Sequence, residues 1–263
     1  MKTIVSKDAT RIAYERSGTG PPLVLVHGAV ADHTRWAPVV PAFERHFTVY
    51  AMDRRGRGGS GDANEYAIER EFEDVAALVD SIDGPVNLLG HSFGAFCCLE
   101  AARLTPNIDR LILYEPPPPG IQGTLPPKVA IRMQTLLDAN DREGVVSTFL
   151  REVAGITAAE LEMLRSAPSW PGRVAAAHTI LREIHALEGL PRFDAERFKA
   201  VKTPVLLLLG GDSPPLYSDT IAQIHEALPN SQVVVLPGQQ HVAMNTAPDL
   251  FVREVLAFLT VPA

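Results

Sequence analysis

Ser92 lies at the centre of the pentapeptide Gly90-His91-Ser92-Phe93-Gly94, between a short apolar run and a stretch with helical periodicity. Glycines two positions to either side allow a very tight turn between a strand and a helix, which exposes the serine hydroxyl above the sheet. The first amides of that helix then point toward the atom that the serine attacks. The pentapeptide therefore predicts a catalytic nucleophile at Ser92.

A serine hydroxyl is a weak nucleophile, so catalysis also requires a general base, usually histidine, and a carboxylate that holds the imidazole tautomer. His241 is the candidate base because it follows the apolar run 233–236 and precedes the last predicted helix. From that loop we expect its side chain to reach back over the carboxyl edge of the sheet. His33 and His91 flank the predicted site and are candidates for contact with a substrate.

The reaction also needs donors for a developing oxyanion. The segment Val26-His27-Gly28-Ala29 leaves a predicted strand, and Gly28 lets the backbone approach closely. We expect the backbone amides of Ala29 and Phe93 to form an oxyanion hole, in which one donor contributes about 2.7 to 4 kcal/mol to transition-state binding. His27 is predicted to be structural, through hydrogen bonds to the loop backbone.

The elements that must position these residues follow from hydrophobic patterning. Short, nearly continuous apolar runs are typical of strands buried on both faces of a parallel sheet. They occupy 23–26, 48–52, 86–89, 111–114, 205–209 and 233–236. Helical patterns lie between them at 36–47, 66–82, 95–105, 219–228 and 248–259. With a hairpin from segments 3–5 and 11–15, this alternation predicts an α/β fold with a mostly parallel sheet and right-handed crossovers.

One segment interrupts the alternation, since no strand candidate lies between Tyr114 and Val205. Four prolines at 116–119 lead out of the sheet, and helical patterns follow at 128–139, 142–154, 158–166 and 173–187. We predict a core formed by residues 1–115 and 201–263 and a helical cap formed by residues 116–200. Apolar side chains of this cap, with Trp170 as a candidate substrate contact, are expected to roof a mainly hydrophobic pocket.

The composition and charge of the chain argue against several classes of binding partner. The 263 residues are 46% hydrophobic and carry a formal net charge of -7, with no cluster of lysine or arginine. This argues against nucleic acid or an anionic membrane as a partner and favours a small-molecule substrate. The adjacent Cys97 and Cys98 disfavour a disulfide and give no metal-ligand spacing. No signal-peptide core or membrane-spanning run is present, so we expect a cytoplasmic protein.

Together these motifs resemble the α/β-hydrolase family. The resemblance rests on Gly90 to Gly94, on His27-Gly28, on the loop 53–60 and on a late His241, in this order along the chain. It implies an eight-stranded, mostly parallel sheet with helices on both faces and a cap inserted after the sixth strand. It also implies a triad of serine, acid and histidine with no metal or other cofactor. The arginines of the loop 53–60 are expected to be solvated rather than to bind an anion.

The triad acid departs from the common pattern of that family. After the seventh strand, similar proteins usually have an aspartate where this chain has Ser213. Asp212 lies one residue earlier, and such a shift near a strand end usually reverses the direction of the side chain. Glu115 follows the sixth strand, where some subfamilies have their acid, and it would have His241 as a partner. We predict Glu115 as the acid, with Asp212 as the alternative.

The resemblance implies a serine hydrolase that cleaves an ester-like bond, in a carboxylester or lactone, through an acyl-enzyme on Ser92. The substrate is expected to be small to medium in size and moderately apolar. Serine at the elbow disfavours the dehalogenase and epoxide hydrolase reactions, which need aspartate there. Alternatives are a carbon-carbon bond hydrolase, a cofactor-free haloperoxidase or perhydrolase, a cyanohydrin lyase, or a small-molecule receptor on the same fold. No oligomeric state is predicted.

Overall fold

The computed structural model describes residues 1–120, 123 and 125–260. Its strands are β1 (Lys2–Val5), β2 (Arg11–Ser17), β3 (Pro22–Val26), β4 (Thr48–Met52), β5 (Val86–His91), β6 (Ile108–Tyr114), β7 (Val205–Gly210) and β8 (Ser231–Leu236). Its α-helices are α1 (Val40–Phe43), α2 (Ile68–Asp80), α3 (Phe93–Ala101), α4 (Pro127–Asp138), α5 (Arg142–Glu152), α6 (Ala158–Ser166), α7 (Trp170–Ala175), α8 (Ile180–Gly189), α9 (Pro215–Ala227), α10 (Ala243–Thr246) and α11 (Pro248–Leu259). None of these helices has the length and hydropathy needed to cross a membrane.

The strands form one sheet of eight in the order β1-β2-β4-β3-β5-β6-β7-β8. The pairings of β1 with β2 and of β2 with β4 are antiparallel, and all other pairings in this sheet are parallel. The prediction of an eight-stranded, mostly parallel sheet is confirmed. Because β3, β5 and β6 are neighbours, the residues that follow these strands meet at one edge of the sheet.

Both faces of the sheet are covered by helices, which explains the continuous apolar runs in the sequence. In β3, Leu23 and Leu25 pack in a cluster that includes side chains of α1 and α11. The alternate residues Val24 and Val26 pack on the opposite face with α2 and α3. Since successive side chains of a strand point to opposite faces, each of these positions must be apolar.

Helices α4 to α8 lie between β6 and β7 along the chain, in the segment for which a cap is predicted. A third hydrophobic cluster joins buried residues of α4, α5, α6 and α8 to Val30 and Val242, which lie in loops of the sheet edge. This cluster packs the helices over that edge. The division of the chain at residues 116 and 200 stays a prediction.

The predicted continuous helix over 36–47 is wrong. A 3-10 helix covers His33–Trp36, and α1 begins only at Val40. Pro38 and Pro41 lie in this segment, and a proline supplies no N–H to a helix interior and clashes with the preceding turn. Pro41 is tolerated because it lies in the first turn of α1, where its missing N–H costs no hydrogen bond.

Candidate active site

Ser92 lies in the turn that joins β5 to α3. Its backbone angles are φ 54° and ψ -127°, a conformation that is costly for a residue with a Cβ and that concentrates at functional sites. The N–H of Ser92 donates to the carbonyl of Tyr114, and its carbonyl accepts from the N–H of Ala95, both at 2.8 Å. These two bonds hold the strained turn in place.

Two glycines let the strand and the helix approach closely at this turn. A Cβ atom on Gly94 would lie 2.4 Å from the carbonyl oxygens of Val26 and His27, and one on Gly90 would lie 2.6 Å from the Cα of Ala95. Backbone atoms in a packed sheet have no room to move aside. The pentapeptide therefore forms the strand, turn and helix that its sequence predicts, and the glycines are required by packing.

Replacing Gly94 with alanine is expected to lower the free energy of unfolding by about 2 to 3 kcal/mol, because the added methyl group overpacks α3 against β3. Urea denaturation followed by circular dichroism measures this change. Gly189→Ala is the matched control, since a Cβ at Gly189 has no heavy atom within 4 Å. Equal stability of the two variants would contradict the close approach of α3 and β3.

His27 is buried where β3 ends, and both of its ring nitrogens bond to backbone. Nδ1 donates to the carbonyl of Gly28 at 2.8 Å, and Nε2 accepts from the N–H of Arg54 at 3.2 Å. Burial holds the pKa of His27 well below its usual value, so the ring is neutral. The predicted hydrogen bonds of His27 to loop backbone are confirmed.

Glu115 follows β6 directly and contacts His241. Its Oε2 accepts a hydrogen bond from Nδ1 of His241 at 2.6 Å, and its Oε1 accepts from the N–H of Gly210 at 2.7 Å. Both the carboxylate and the imidazole are buried. The backbone φ of Glu115 is 46°, a second strained position beside the site. Because Nδ1 donates to the carboxylate, Nε2 of His241 is the ring nitrogen left to accept a proton.

Asp212 is exposed, and its backbone N–H donates to the carbonyl of Gln239 at 2.9 Å. Among the ion pairs of the described residues, His241 is paired with the carboxylate of Glu115. Of the two acids that the sequence leaves open, the geometry therefore favours the one at the end of β6.

Aromatic rings hold the loop that carries His241. The ring of Tyr217 stacks on the imidazole with centroids 4.6 Å apart, and the ring of His91 lies 4.7 Å away on a tilted plane. Nε2 of His91 donates to the backbone carbonyl of His241 at 2.8 Å, and the hydroxyl of Tyr114 donates to the carbonyl of Gln240. Burial keeps the pKa of His91 well below its usual value, so His91 is a neutral donor that fixes the loop.

A cavity of about 100 Å³ lies over the carboxyl ends of the parallel strands. Ser92, His241, Ala29, Phe93 and His91 all line it, so the structure brings the predicted nucleophile, base and oxyanion-hole residues together. Its apolar lining includes Phe149, Leu150, Val153, Ile156, Leu164 and Ile184. All six come from the segment 116–200, which is predicted to roof the pocket.

Two candidate substrate contacts lie elsewhere. His33 lines a separate cavity, where its Nδ1 bonds to Oδ1 of Asp53 at 2.8 Å, and this hydrogen bond raises the pKa of His33. Trp170 packs against the third hydrophobic cluster, with the guanidinium of Arg165 5.9 Å from the centre of its ring. Neither side chain is part of the lining of the cavity at Ser92.

The expectation of solvated arginines in the loop after β4 is wrong, because Arg54, Arg55 and Arg57 are all buried. Arg54 bonds Glu71 of α2 through Nε at 3.1 Å and Nη2 at 2.8 Å, and it lies 3.1 Å from Glu183 of α8. Arg57 also pairs with Glu183, and Arg55 pairs with a carboxylate of α2. Buried arginines require such partners, which come from distant parts of the sequence.

Two further cationic residues of the cavity were missed by the sequence analysis. Arg35 and Arg173 both line it and are both buried. Arg35 lies in the short helix after β3, and Arg173 lies in α7. Neither is part of a charge cluster or a motif, so no local sequence signal distinguishes them from surface arginines.

Comparison with known proteins places the chain in a family. Residues 23–254 match the model of the Alpha/beta hydrolase family. The N-formylmaleamate deformylase of Pseudomonas putida is 28% identical over 250 residues, which cover 90% of this chain and 88% of the deformylase. The crystal structure of an alpha/beta hydrolase from Sphaerobacter thermophilus has a TM-score of 0.84 at 38% identity, covering 98% of this chain and 100% of that chain.

The same fold recurs at greater sequence distance. The enol-lactonase of Burkholderia xenovorans has a TM-score of 0.75 at 21% identity, with 99% of this chain and 100% of that chain covered. The family match spans β3 to α11, and it therefore includes the elbow at Ser92 and the loop at His241. The resemblance noted in the sequence is thereby confirmed. This chain belongs to the alpha/beta hydrolase family.

Proposed function

We propose that this enzyme is a serine hydrolase that cleaves an ester-like bond, in a carboxylester or a lactone, through an acyl-enzyme on Ser92. The observation that carries the proposal is the 2.6 Å hydrogen bond between His241 and Glu115, next to a cavity that is also lined by Ser92. A strained serine and an imidazole at one cavity, with a buried carboxylate bonded to that imidazole, are the parts that nucleophilic catalysis requires.

The first half of the reaction forms the acyl-enzyme. His241 Nε2 takes the proton of the Ser92 hydroxyl while Oγ attacks the substrate carbonyl, which gives a tetrahedral intermediate. The amides of Ala29 and Phe93 donate to its oxyanion. The intermediate then collapses, the bond to the leaving oxygen breaks, and the imidazolium transfers the proton that it took from Ser92 to that oxygen.

The second half restores the enzyme. His241 takes a proton from a water molecule that attacks the acyl carbon, and a second tetrahedral intermediate forms. When it collapses, the acid product leaves and the proton passes from His241 to Oγ of Ser92. The proton of Ser92 leaves with the alcohol, and a proton from water replaces it, so one water molecule is consumed for each bond cleaved and the cycle is balanced.

Glu115 holds His241 in the productive tautomer throughout this cycle. Its second oxygen is fixed by the N–H of Gly210, so the carboxylate cannot rotate away from the imidazole. The same carboxylate stabilises the imidazolium that forms in each half-reaction. The apolar lining of the cavity favours a substrate of small to medium size with an apolar body.

We expect a fluorophosphonate probe to label this protein at Ser92, detected by mass spectrometry of the labelled peptide. We also expect hydrolysis of p-nitrophenyl esters, with kcat/KM that rises with acyl length until the acyl chain fills the cavity and then falls. Heat-denatured protein is the control for nonspecific labelling. A probe adduct elsewhere would contradict the role of Ser92, and no turnover of any ester would favour carbon-carbon cleavage or a receptor.

A further inference from the structure

Arg173 is a buried cation with an incomplete set of partners. Its side chain is 3% exposed and lines the cavity at Ser92. Nη1 donates to the carbonyl of Val30 at 3.0 Å, whereas Nε and Nη2 are buried without a hydrogen-bond partner in the described part of the chain. None of the ion pairs found there includes Arg173. A buried guanidinium in this state leaves two N–H donors for an acceptor from outside the chain.

The two donors without a partner form one edge of the guanidinium. This chain uses the same edge elsewhere to bind a carboxylate in two-point contact. Nε and Nη2 of Arg54 bond the two oxygens of Glu71, and Nε and Nη2 of Arg55 bond the two oxygens of Asp74. The corresponding edge of Arg173 therefore has the donor geometry that a planar carboxylate fits.

A second cation strengthens the positive field at this wall. Arg35 is 2% exposed and has uncharged partners, Asn245 and the sulfur of Met244.

Arg173 is charged at neutral pH. Burial lowers the pKa of Arg173 to about 10, and the carboxylate of Asp32 opposes this shift. Asp32 itself accepts from the N–H of Thr34 at 2.9 Å.

The acidic side chains of the cavity are engaged by other groups. Glu183 pairs with Arg54 and Arg57 through Oε1, while its Oε2 is buried without a hydrogen-bond partner in the described residues. Glu188 accepts from the N–H of Leu125 at 3.1 Å. Among the ion pairs of the described residues, neither carboxylate is paired with Arg35 or Arg173. The positive charge at Arg35 and Arg173 is therefore left for a ligand.

We propose that the substrate of this hydrolase carries a carboxylate, and that Arg173 binds it through Nε and Nη2 while the ester carbonyl lies at Ser92. This inference rests on the proposed function. The substrate class is then a half-ester or lactone acid, with an apolar chain between its reacting carbonyl and its carboxylate. Arg173 determines specificity, and Arg35 adds to the field that attracts the anion.

The test compares mono-p-nitrophenyl adipate with its methyl ester, which have the same leaving group and differ at the far end, where one has a carboxylate and the other an uncharged methyl ester. We expect wild-type kcat/KM to be at least about tenfold higher for the acid, and Arg173→Met to abolish this preference. Arg173→Lys keeps the charge but not the two-point contact, so its preference for the acid should lie between that of the wild type and that of Arg173→Met. Arg132→Met, in an exposed ion pair of the same predicted cap, is the matched control with unchanged preference.

A binding measurement separates this inference from the proposed function. Hexanoate is expected to raise the melting temperature of Ser92→Ala protein more than hexanamide does, and not to do so when Arg173→Met is added. That result without turnover of any ester would contradict the proposed function alone. Ester turnover with no preference for the acid, and equal effects of hexanoate and hexanamide, would overturn the role of Arg173. If Arg173→Met does not fold, two wild-type measurements test the role of Arg173. They are the preference for the acid over its methyl ester and stronger inhibition by hexanoate than by hexanamide, and the absence of both would overturn it.

Discussion

Ser92→Ala is expected to lower kcat for p-nitrophenyl butyrate by about 10⁶-fold, because the attacking oxygen is lost and the base then has no proton to take. The fold should be preserved. Alanine retains the Cβ of Ser92 and therefore the same strained backbone at φ 54°. The residual rate would come from the donors of the oxyanion hole and from substrate binding.

Initial rates over a range of substrate concentrations measure this loss, and circular dichroism with thermal unfolding verifies the fold. Ser166→Ala, an exposed serine at the end of α6, is the matched control and should keep the wild-type rate. Loss of fluorophosphonate labelling in Ser92→Ala would agree with the kinetic result. If Ser92→Ala kept more than about one tenth of the wild-type kcat, another residue would be the nucleophile.

Glu115→Gln is expected to lower kcat by about 10⁴-fold, which is the size of the effect when a triad carboxylate becomes an amide. The amide has the same shape and still accepts from the N–H of Gly210. The amide no longer balances the positive charge of the imidazolium. Its NH₂ group donates to Nδ1 and so favours the tautomer of His241 that has its proton on Nε2. That tautomer cannot accept the proton of Ser92.

Asp212→Asn is the matched control for this change, since it is also an acid-to-amide substitution at the same edge of the sheet. Asp212 is exposed and does not form the ion pair with His241, so kcat should stay within about threefold of the wild-type value. The pH dependence of kcat/KM should be measured for both variants. A large loss in Asp212→Asn with near-normal turnover in Glu115→Gln would reverse the assignment of the acid.

The fold and the centre of the site were predictable because their signals are local. Glycines at 90 and 94 are needed wherever a helix leaves a strand this closely, and the apolar runs are needed for strands with helices on both faces. The contact of Glu115 was predictable because it follows a recognisable strand. Ser213 has no carboxylate, so an acid at that earlier strand end is the local alternative that the sequence offers.

The remaining features depend on contacts between distant residues. Arg54 and Glu183 are 129 positions apart, so the sequence around Arg54 contains no sign that it is buried. Arg173 reaches the cavity only because α7 folds over the sheet edge, where it bonds Val30. The break in the predicted helix at 36–47 is different, because it has a local cause. Apolar periodicity predicts one helix there, but Pro38 and Pro41 interrupt it.

The position of Glu115 also affects how this enzyme can change over evolution or by engineering. With the carboxylate at the end of β6, the loop between β7 and α9 contributes no charged side chain to the proposed triad. Backbone bonds hold that loop, from the N–H of Gly211 to Leu236 and from the N–H of Asp212 to Gln239. Its exposed side chains are therefore free to vary, and a designer can place new sequence there beside the site without disturbing the orientation of the catalytic histidine.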